Sequence, residues 1–437
     1  MDKKEAISIF WFRRDLRLDD NAGLYHALKG DNPVLSLFIF DKEILDELED
    51  KDDARVTFIY NEIENLAGEL KKHGSTLLVL YDKAEDAWGE LLKEYNVASV
   101  YTNHDYEPYA KKRDAAIAEK LKKQNIGFKT YKDQVIFDRG EVIKADGQPY
   151  TVYTPYMRKW YETLKPFHLK PYPDKKYFRN FFKTGPLPLP TLKHMGFEKS
   201  NRQFPDRDYE KYIEDYAEKR DFPGIAGTSH IGLHLRFGTV SIRELAAKAN
   251  GHKNKTWLNE LIWREFYMMI LDNFPKTMDH AFRPEYDRIK WVNDEKQFGS
   301  WCRGITGYPL VDAGMRELNA TGYMHNRVRM VVASFLSKDL LIDWRWGERY
   351  FARKLLDYEM ASNVGGWQWS AGCGTDAAPY FRIFNPDSQL KKFDPELIYI
   401  KKWVPEYADF SKYPEPIIDH AYARERCLKV FKKALAK

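Results

Sequence analysis

Cysteine is scarce in this chain. It has three in 437 residues, Cys302, Cys373 and Cys427, far apart in sequence. That spacing excludes a disulfide framework or a zinc module and suits a reducing compartment. No apolar run approaches the roughly 20 residues of a bilayer span. The basic start, MDKKEAISIFWFRR, passes straight into a strand-like run with no small-residue cleavage site. Neither a membrane span nor a signal peptide is therefore expected, and a cytoplasmic location is. Several reaction motifs are also missing. There is no HExxH, GxxxxGKS/T, CxxC or GxSxG, so hydrolysis, phosphoryl transfer and metal chemistry have no visible apparatus. The difficult chemistry falls to a cofactor.

Aromatic residues, in contrast, make up 15% of the chain, and nine of the twelve tryptophans follow residue 200. The net charge of +5 is mild and permits a polyanionic partner without proving one. The length predicts two domains. Over 1–131, short apolar runs at 7–12, 34–40, 76–81 and 98–102 alternate with helix patterns such as ARVTFIYNEIENLAGELKKHG, which stops at Gly74. This predicts a doubly wound, Rossmann-like α/β domain with a parallel sheet. The first strand leads into RRDLRLDD without a glycine-rich turn, so a dinucleotide is not expected there in the usual way. Six prolines between Pro166 and Pro190 predict a connector over 132–204. From 205 to 437 helical periodicity dominates, notably at 257–271 and 326–344, and predicts an all-α domain.

Three clusters in that second half carry chemical potential. On a helix, Glu260, Trp263, Arg264 and Tyr267 fall at i, i+3, i+4 and i+7 on one face. They read either as a surface ion pair beside an indole or as a pocket wall with a stacking plate, a carboxylate and a cation. Around residue 326, Asn326 shares a face with Met330, and His325 with Arg329. Asp357 is a candidate acid for one of Arg327 and Arg329, leaving the other for a phosphate. His325 reads more readily as a structural histidine than as a base. GTSHIGLHLRFG (227–238) could present backbone N–H groups to a phosphate or simply cap a helix. Finally, NVGGWQWSAGCG places Trp367 and Trp369 two residues apart, about 200° apart on a helix, among small residues.

TGYPLVDAGMREL (306–318), NRVRMVVASFLSKDLLIDWR (326–345), FWFRRDLRLDDN and GGWQWSAGCGTDAAPYFRIFNP (365–386) resemble signature segments of the class I DNA photolyases and cryptochromes. The resemblance spans essentially the whole chain. It implies an α/β antenna domain and a helical domain holding FAD. It places the flavin among Tyr216, Thr228, Ser229, His230, Ile231, Gly232, Trp257, Arg329, Asp357, Tyr358, Glu359 and Asn363, the last facing N5. It implies an electron route through Trp301, Trp344 and Trp367, with Trp367 looking inward and Trp369 outward into a substrate cavity. Trp346 beside that route reads as packing.

Discriminating positions favour repair of cyclobutane pyrimidine dimers. Asn326 and Met330 stand where (6-4) repair enzymes carry histidines, and Trp369 where DASH cryptochromes usually have tyrosine. Asn363 stands where plant cryptochromes tend to have aspartate and animal ones often cysteine. Glu260, Asn326, Met330 and Asn363 are then the expected catalytic residues. Arg220, Glu260, Trp263, Arg264, Tyr267, Asn326, Arg327, Trp369 and Arg382 are the expected contacts to lesion or DNA. The expected partner is UV-damaged DNA, bound by a monomer without metal. A photosensory cryptochrome signalling through a protein partner is the alternative. The second chromophore, folate, deazaflavin or none, stays open, because Tyr109 and Ala110 replace the Asn-Glu pair of folate-binding relatives.

Overall fold

The computed structural model of the chain describes residues 5–409 and 411–436. Its packing forms two units that interleave along the sequence. The first takes residues up to Glu141, Thr163–Arg207 and Ile231–Gly251; the second takes Val142–Glu162, Asp208–His230 and the chain from His252 onward.

The first unit is a five-stranded parallel sheet of strands β1 (Ala6–Phe12), β2 (Val34–Asp41), β3 (Leu77–Asp82), β4 (Asn96–Asn103) and β5 (Gly127–Tyr131), in the order β3-β2-β1-β4-β5. Helices Ala22–Leu28, Ala54–Lys72, Ala84–Glu94 and Pro108–Lys122 make the connections. β1 and β2 are almost wholly buried, which is why their sequences run apolar without alternation. β5, GFKTY, was not expected. It is an edge strand with exposed and half-buried side chains, so it carries no apolar signature. Where a dinucleotide-binding sheet has its glycine turn, Arg13 is hydrogen-bonded to Asp114 and to the Asn103 carbonyl, and Arg14 to Asp105 and Glu107.

The linear boundaries expected at 131 and 204 differ from these units, for physical reasons. Ile231–Gly251 joins the α/β unit because Arg243, 5% exposed, pairs with Asp20 and Asp133 at 2.7 Å each. The connector is no free linker either. Asn180 donates to the carbonyls of Leu28, Gly30 and Asn32, and the Phe182 N–H donates to the Val34 carbonyl. Its earlier part contributes a helix to the second unit.

Helices of the second unit used below are α1 (Tyr153–Thr163), α2 (Thr256–Asn273), α3 (Glu295–Arg303), α4 (Pro309–Thr321), α5 (Asn326–Ser334), α6 (Trp344–Lys354), α7 (Met360–Ala371) and α8 (His420–Leu435). The stretch 326–344, expected as one helix, is broken by a π-helical turn at Phe335–Asp339 and by Leu341 at φ +56°. Gly314 of α4 lets α5 come close, since a Cβ there would lie 2.4 Å from Val328 Cγ1. Asp312, buried, accepts from Thr306 N–H and Oγ1 at 2.7 Å, Gly307 N–H at 3.1 Å and Tyr413 OH at 2.6 Å. The TGYPLVDAGM segment thus holds a loop closed; its work is structural.

Candidate active site

A cavity of about 390 Å³ opens in the second unit, within the roughly 300–1,000 Å³ range of small-molecule sites. Glu260, Trp263, Arg264 and Tyr267 line it from α2, and Asn326, Arg329, Met330 and Ala333 from α5. Helix α7 contributes Ser362, Asn363, Gly366, Trp367, Trp369 and Ser370, and Arg220, Phe351, Asp357, Tyr358 and Glu359 complete the wall. At about 100° per residue the α7 residues cover an arc of roughly 160°, with the two tryptophans at its margins. Trp367 and Trp369 therefore border the cavity from opposite margins of the α7 face, Trp367 packing back against Trp301 and Phe351. Trp367 is 2% exposed and Trp369 half-buried.

The α2 pattern is a pocket wall. Its charges, however, are already paired. Arg264 Nε lies 2.8 Å from Glu359 Oε2 with both side chains largely buried, so this cation is engaged by a carboxylate. Arg220 pairs with Glu260. Burial pushes the Glu260 carboxyl up, and Arg220 pulls part of the way back. Arg329 Nη2 donates to both oxygens of Asp357, at 2.9 and 3.1 Å, so of the two arginines the sequence left open it is Arg329 that meets this acid.

Asn363 brings in a residue that sequence reasoning missed. Its Nδ2 donates to Glu348 Oε1 at 2.9 Å and to the Glu348 carbonyl at 3.1 Å, leaving Oδ1 as its free acceptor. Glu348 stands four residues after Trp344 on α6, where nothing in the sequence pattern marks it. Burial raises its carboxyl from 4.5 to about 6 against the Asn363 hydrogen bond. Because the folded value is raised, the contribution to stability is full below about 4.5 and is lost as pH rises through about 6. Glu348→Gln should therefore flatten the stability profile between pH 4.5 and 6.5, gaining about 1–2 kcal/mol at neutral pH. Urea unfolding of both proteins across that window checks it.

Other expected residues lie outside this cavity wall. Trp257 is 4% exposed and stacks on Tyr209 at 5.6 Å. Thr228 Oγ1 is 3.3 Å from Tyr323 OH, and the His230 ring stacks on Tyr323 at 3.8 Å. The Arg220 guanidinium lies over the Tyr216 ring, 5.3 Å from its centroid. Ser229 is half-buried, and the chain runs on through Ile231 and Gly232 into a short helix of the first unit. Arg327 Nη2 is 2.7 Å from Asp221, its guanidinium lying over the Phe393 ring. His325 is the cap of α5, accepting from Arg327 N–H, and burial lowers its imidazole to about 4, so it stays neutral. Arg382 is exposed, with its carbonyl accepting from the buried Lys338 at 2.7 Å.

The resemblance implies that the indole route draws its electrons from the surface, and that outer end needs a correction. Trp301, Trp344 and Trp367 are 0%, 1% and 2% exposed, so none of them meets solvent. Sequence motifs find indoles but do not report their exposure. The Trp367 and Trp301 rings are 6.1 Å apart, Trp301 stacks on Phe298 at 5.7 Å, and Phe298 meets Trp346 at 5.2 Å. Trp346 is half-buried against this core, as are Trp291 and Trp403. The close approach at Trp367 is permitted by Gly347, where a Cβ would lie 2.1 Å from the indole.

Residues 8–175 match the DNA photolyase family, and residues 257–412 match the FAD binding domain of DNA photolyase. The chain belongs to the DNA photolyase family. It is 35% identical to the deoxyribodipyrimidine photo-lyase of Alkalihalophilus pseudofirmus, covering 99% of each chain, and 35% identical to that of Escherichia coli, covering 98% of each. Among solved structures it resembles a class III photolyase from Agrobacterium tumefaciens (TM-score 0.87, 32% identity, 99% and 98% of the two chains). It also resembles a Sulfolobus tokodaii photolyase solved with two FAD molecules (TM-score 0.84, 34% identity, 98% and 99%). A Synechocystis cryptochrome shares the fold (TM-score 0.85, 25% identity, 98% and 100%).

The cavity suits the flavin ring of FAD. Asn363 Oδ1 is unpartnered, Arg329 and Asp357 give a cation and an acid side by side, and an added Cβ at Gly366 would meet nothing within 4 Å. Among the described residues no cluster of His, Cys, Asp or Glu could hold a metal ion, and no helix is long and apolar enough to cross a membrane.

Proposed function

We propose that this chain repairs cyclobutane pyrimidine dimers in UV-damaged DNA in a light-driven reaction, acting as a cytoplasmic monomer. The observation that carries this reading is the single cavity itself. Glu260, Asn326, Met330, Trp263 and Trp369, all suited to a pyrimidine pair, share it with Arg329, Asp357 and Asn363, which suit a flavin. FAD, in its fully reduced anionic form, supplies a photoexcited electron that opens the dimer and then returns, with no net redox change.

The protein's part is to bind, orient and exclude water. Asn363, its Nδ2 committed to Glu348, would offer Oδ1 to the flavin, and the Arg329–Asp357 pair would help hold it. Tyr216, Thr228, Ser229 and His230, the last braced by Tyr323, take the flavin's phosphate-bearing arm. Glu260 and Asn326 hydrogen-bond the pyrimidine edges, where negative charge develops during ring opening. Arg220 steers the Glu260 carboxyl, and Met330 lines the part of the cavity that would lie between flavin and lesion. Electrons for reduction travel along Trp367, Trp301 and Trp344, and the solvent end lies with a half-buried tryptophan of the same core.

A dimer inside a duplex has to be flipped out, at a cost of a few kcal/mol. Aromatic stacking is worth about 1–3 kcal/mol per base, so Trp263 and Trp369 offset that cost. Trp369→Ala should therefore weaken dimer-oligonucleotide binding by roughly 5- to 150-fold while flavin photoreduction proceeds unchanged, as read by fluorescence anisotropy and by bleaching of the flavin absorption. Arg327 and Arg382 remain candidate phosphate contacts. Tyr109, whose hydroxyl donates to Asp41 at 2.6 Å and Glu43 at 3.1 Å, is already engaged, and no second chromophore is assigned to the α/β unit.

The deciding assay illuminates purified, flavin-reduced protein with a dimer-containing oligonucleotide. Dimers should disappear in blue light and persist in the dark. Dimers that persist in both would leave the photosensory reading standing in place of repair.

A further inference from the structure

The Tyr153 ring lies flat on Trp263, with centroids 3.6 Å apart and an interplanar angle of 8°. Tyr153 comes from α1, in the stretch that sequence composition marks as connector. It is 7% exposed and is fixed from three sides. Its hydroxyl donates to the Asn259 carbonyl at 2.9 Å, its backbone N–H donates to Asp376 Oδ2 at 3.1 Å, and its ring edge meets Phe266. Helix α1 is itself clamped to α2. Glu265, 3% exposed, accepts from Trp160 Nε1 at 2.7 Å and Tyr156 OH at 3.2 Å, and Tyr161 OH donates to Asn259 Oδ1 at 2.9 Å.

Trp263 is therefore restricted on its protein side. One face is covered by Tyr153, and Phe266 and Tyr267 stand at 5.7 and 5.5 Å. Only its other face and outer edge remain for the cavity it lines. An indole alone on a helix surface would sample rotamers, and a base stacking on it would have to select one. Fixing the ring before binding removes that ordering cost and raises affinity without any new contact to the ligand.

We propose that Tyr153 is a positioning residue for the flipped-out pyrimidine pair, backing Trp263 so that the indole presents its open face to the lesion as the middle ring of a three-ring stack. This rests on the reading of Trp263 as a lesion platform given above. Tyr153 does not line the cavity; it acts through Trp263.

The test measures binding of a dimer-containing oligonucleotide to the full-length, flavin-loaded protein. Tyr153→Leu should weaken binding three- to tenfold, about 0.7–1.4 kcal/mol at 1.4 kcal/mol per decade. Flavin content and the repair yield of bound dimer should stay at wild-type levels, so that the change falls on affinity rather than turnover. Tyr153→Phe, which keeps the ring and loses the hydroxyl tether, should bind within twofold of wild type. In a Trp263→Ala background, Tyr153→Leu should add less than a further twofold.

Wild-type affinity in Tyr153→Leu, or an equal loss in both backgrounds, would overturn the proposal. So would a Tyr153→Phe loss as large as that of the leucine variant, which would assign the effect to the tether. Should the leucine variant fail to accumulate with flavin, Tyr153→His, a smaller planar ring, is judged by the same criteria. The two readings fail separately: unchanged binding in Trp263→Ala removes the platform itself, whereas loss in Trp263→Ala with none in Tyr153→Leu removes only the role of Tyr153.

Discussion

Arg264→Met should destabilise the protein by about 3–5 kcal/mol, the usual result of removing one partner from a buried ion pair. Arg264 and Glu359 meet at 2.8 Å with side chains 11% and 7% exposed, so the substitution leaves a carboxylate in the cavity wall without this cation. The double variant Arg264→Met with Glu359→Gln should recover much of the loss, because a neutral amide is far less costly to bury than a carboxylate that has lost a partner cation. Urea unfolding of the three flavin-loaded proteins gives the comparison. The same variants decide between two uses of this arginine. A cation spent on Glu359 displaces no counterion from DNA, so the salt slope of binding should match wild type. A slope lowered by about one would mark Arg264 as a phosphate contact after all.

Gly347→Ala is expected to have the next largest effect. Its Cβ would stand 2.1 and 2.5 Å from Trp367 ring carbons and 2.6 Å from Leu336 Cδ2, well inside the roughly 3.5–4 Å of carbon contact. Leu336 and Trp367 are both buried and cannot simply turn to solvent. Overpacking of this kind costs about 1–3 kcal/mol. The easier relief is for the indole to shift toward the cavity it lines. Gly347→Ala should therefore lose flavin more readily on dilution and photoreduce more slowly, with both read from absorption at fixed protein concentration. A variant that held flavin and photoreduced like wild type would mean that α6 yields and Trp367 keeps its place.

Much of the cavity was legible because its walls are helices with a regular period. Glu260, Trp263, Arg264 and Tyr267 share one face by spacing alone, and all four reach the cavity. Asn326, Arg329 and Met330 follow the same rule on α5. What spacing does not supply is the partner across a gap. Arg264 could be paired only with Glu260 by spacing, because Glu359 stands on a different element, before the first turn of α7. Glu348 carried no signal because its role depends on the amide of Asn363 reaching it from the next helix. Tyr153 lay in a proline-punctuated stretch whose composition resembles a linker, and only the flat stack on Trp263 gives it a place.

The sheet shows the same division. Strands buried on both faces appear as apolar runs, whereas the edge strand Gly127–Tyr131 appears as nothing in particular. The motif TGYPLVDAGM was informative for family membership, yet Asp312 within it ties down a loop and takes no part in the cavity.

The interleaving of the two units bears on how the chain is made. When a ribosome has delivered all five strands, the Asp20 carboxylate is still waiting for Arg243, which pairs with it and with Asp133 inside the α/β half. Arg17 can already meet Asp133, but the full set of interior charges closes only once Arg243 is made, so N-terminal-first folding of this unit should stay incomplete until then. The shortest nascent fragment able to close this network is the one that includes the helix Ile242–Gly251. Any fragment cut at the last strand should leave the exit tunnel soft and open to proteases.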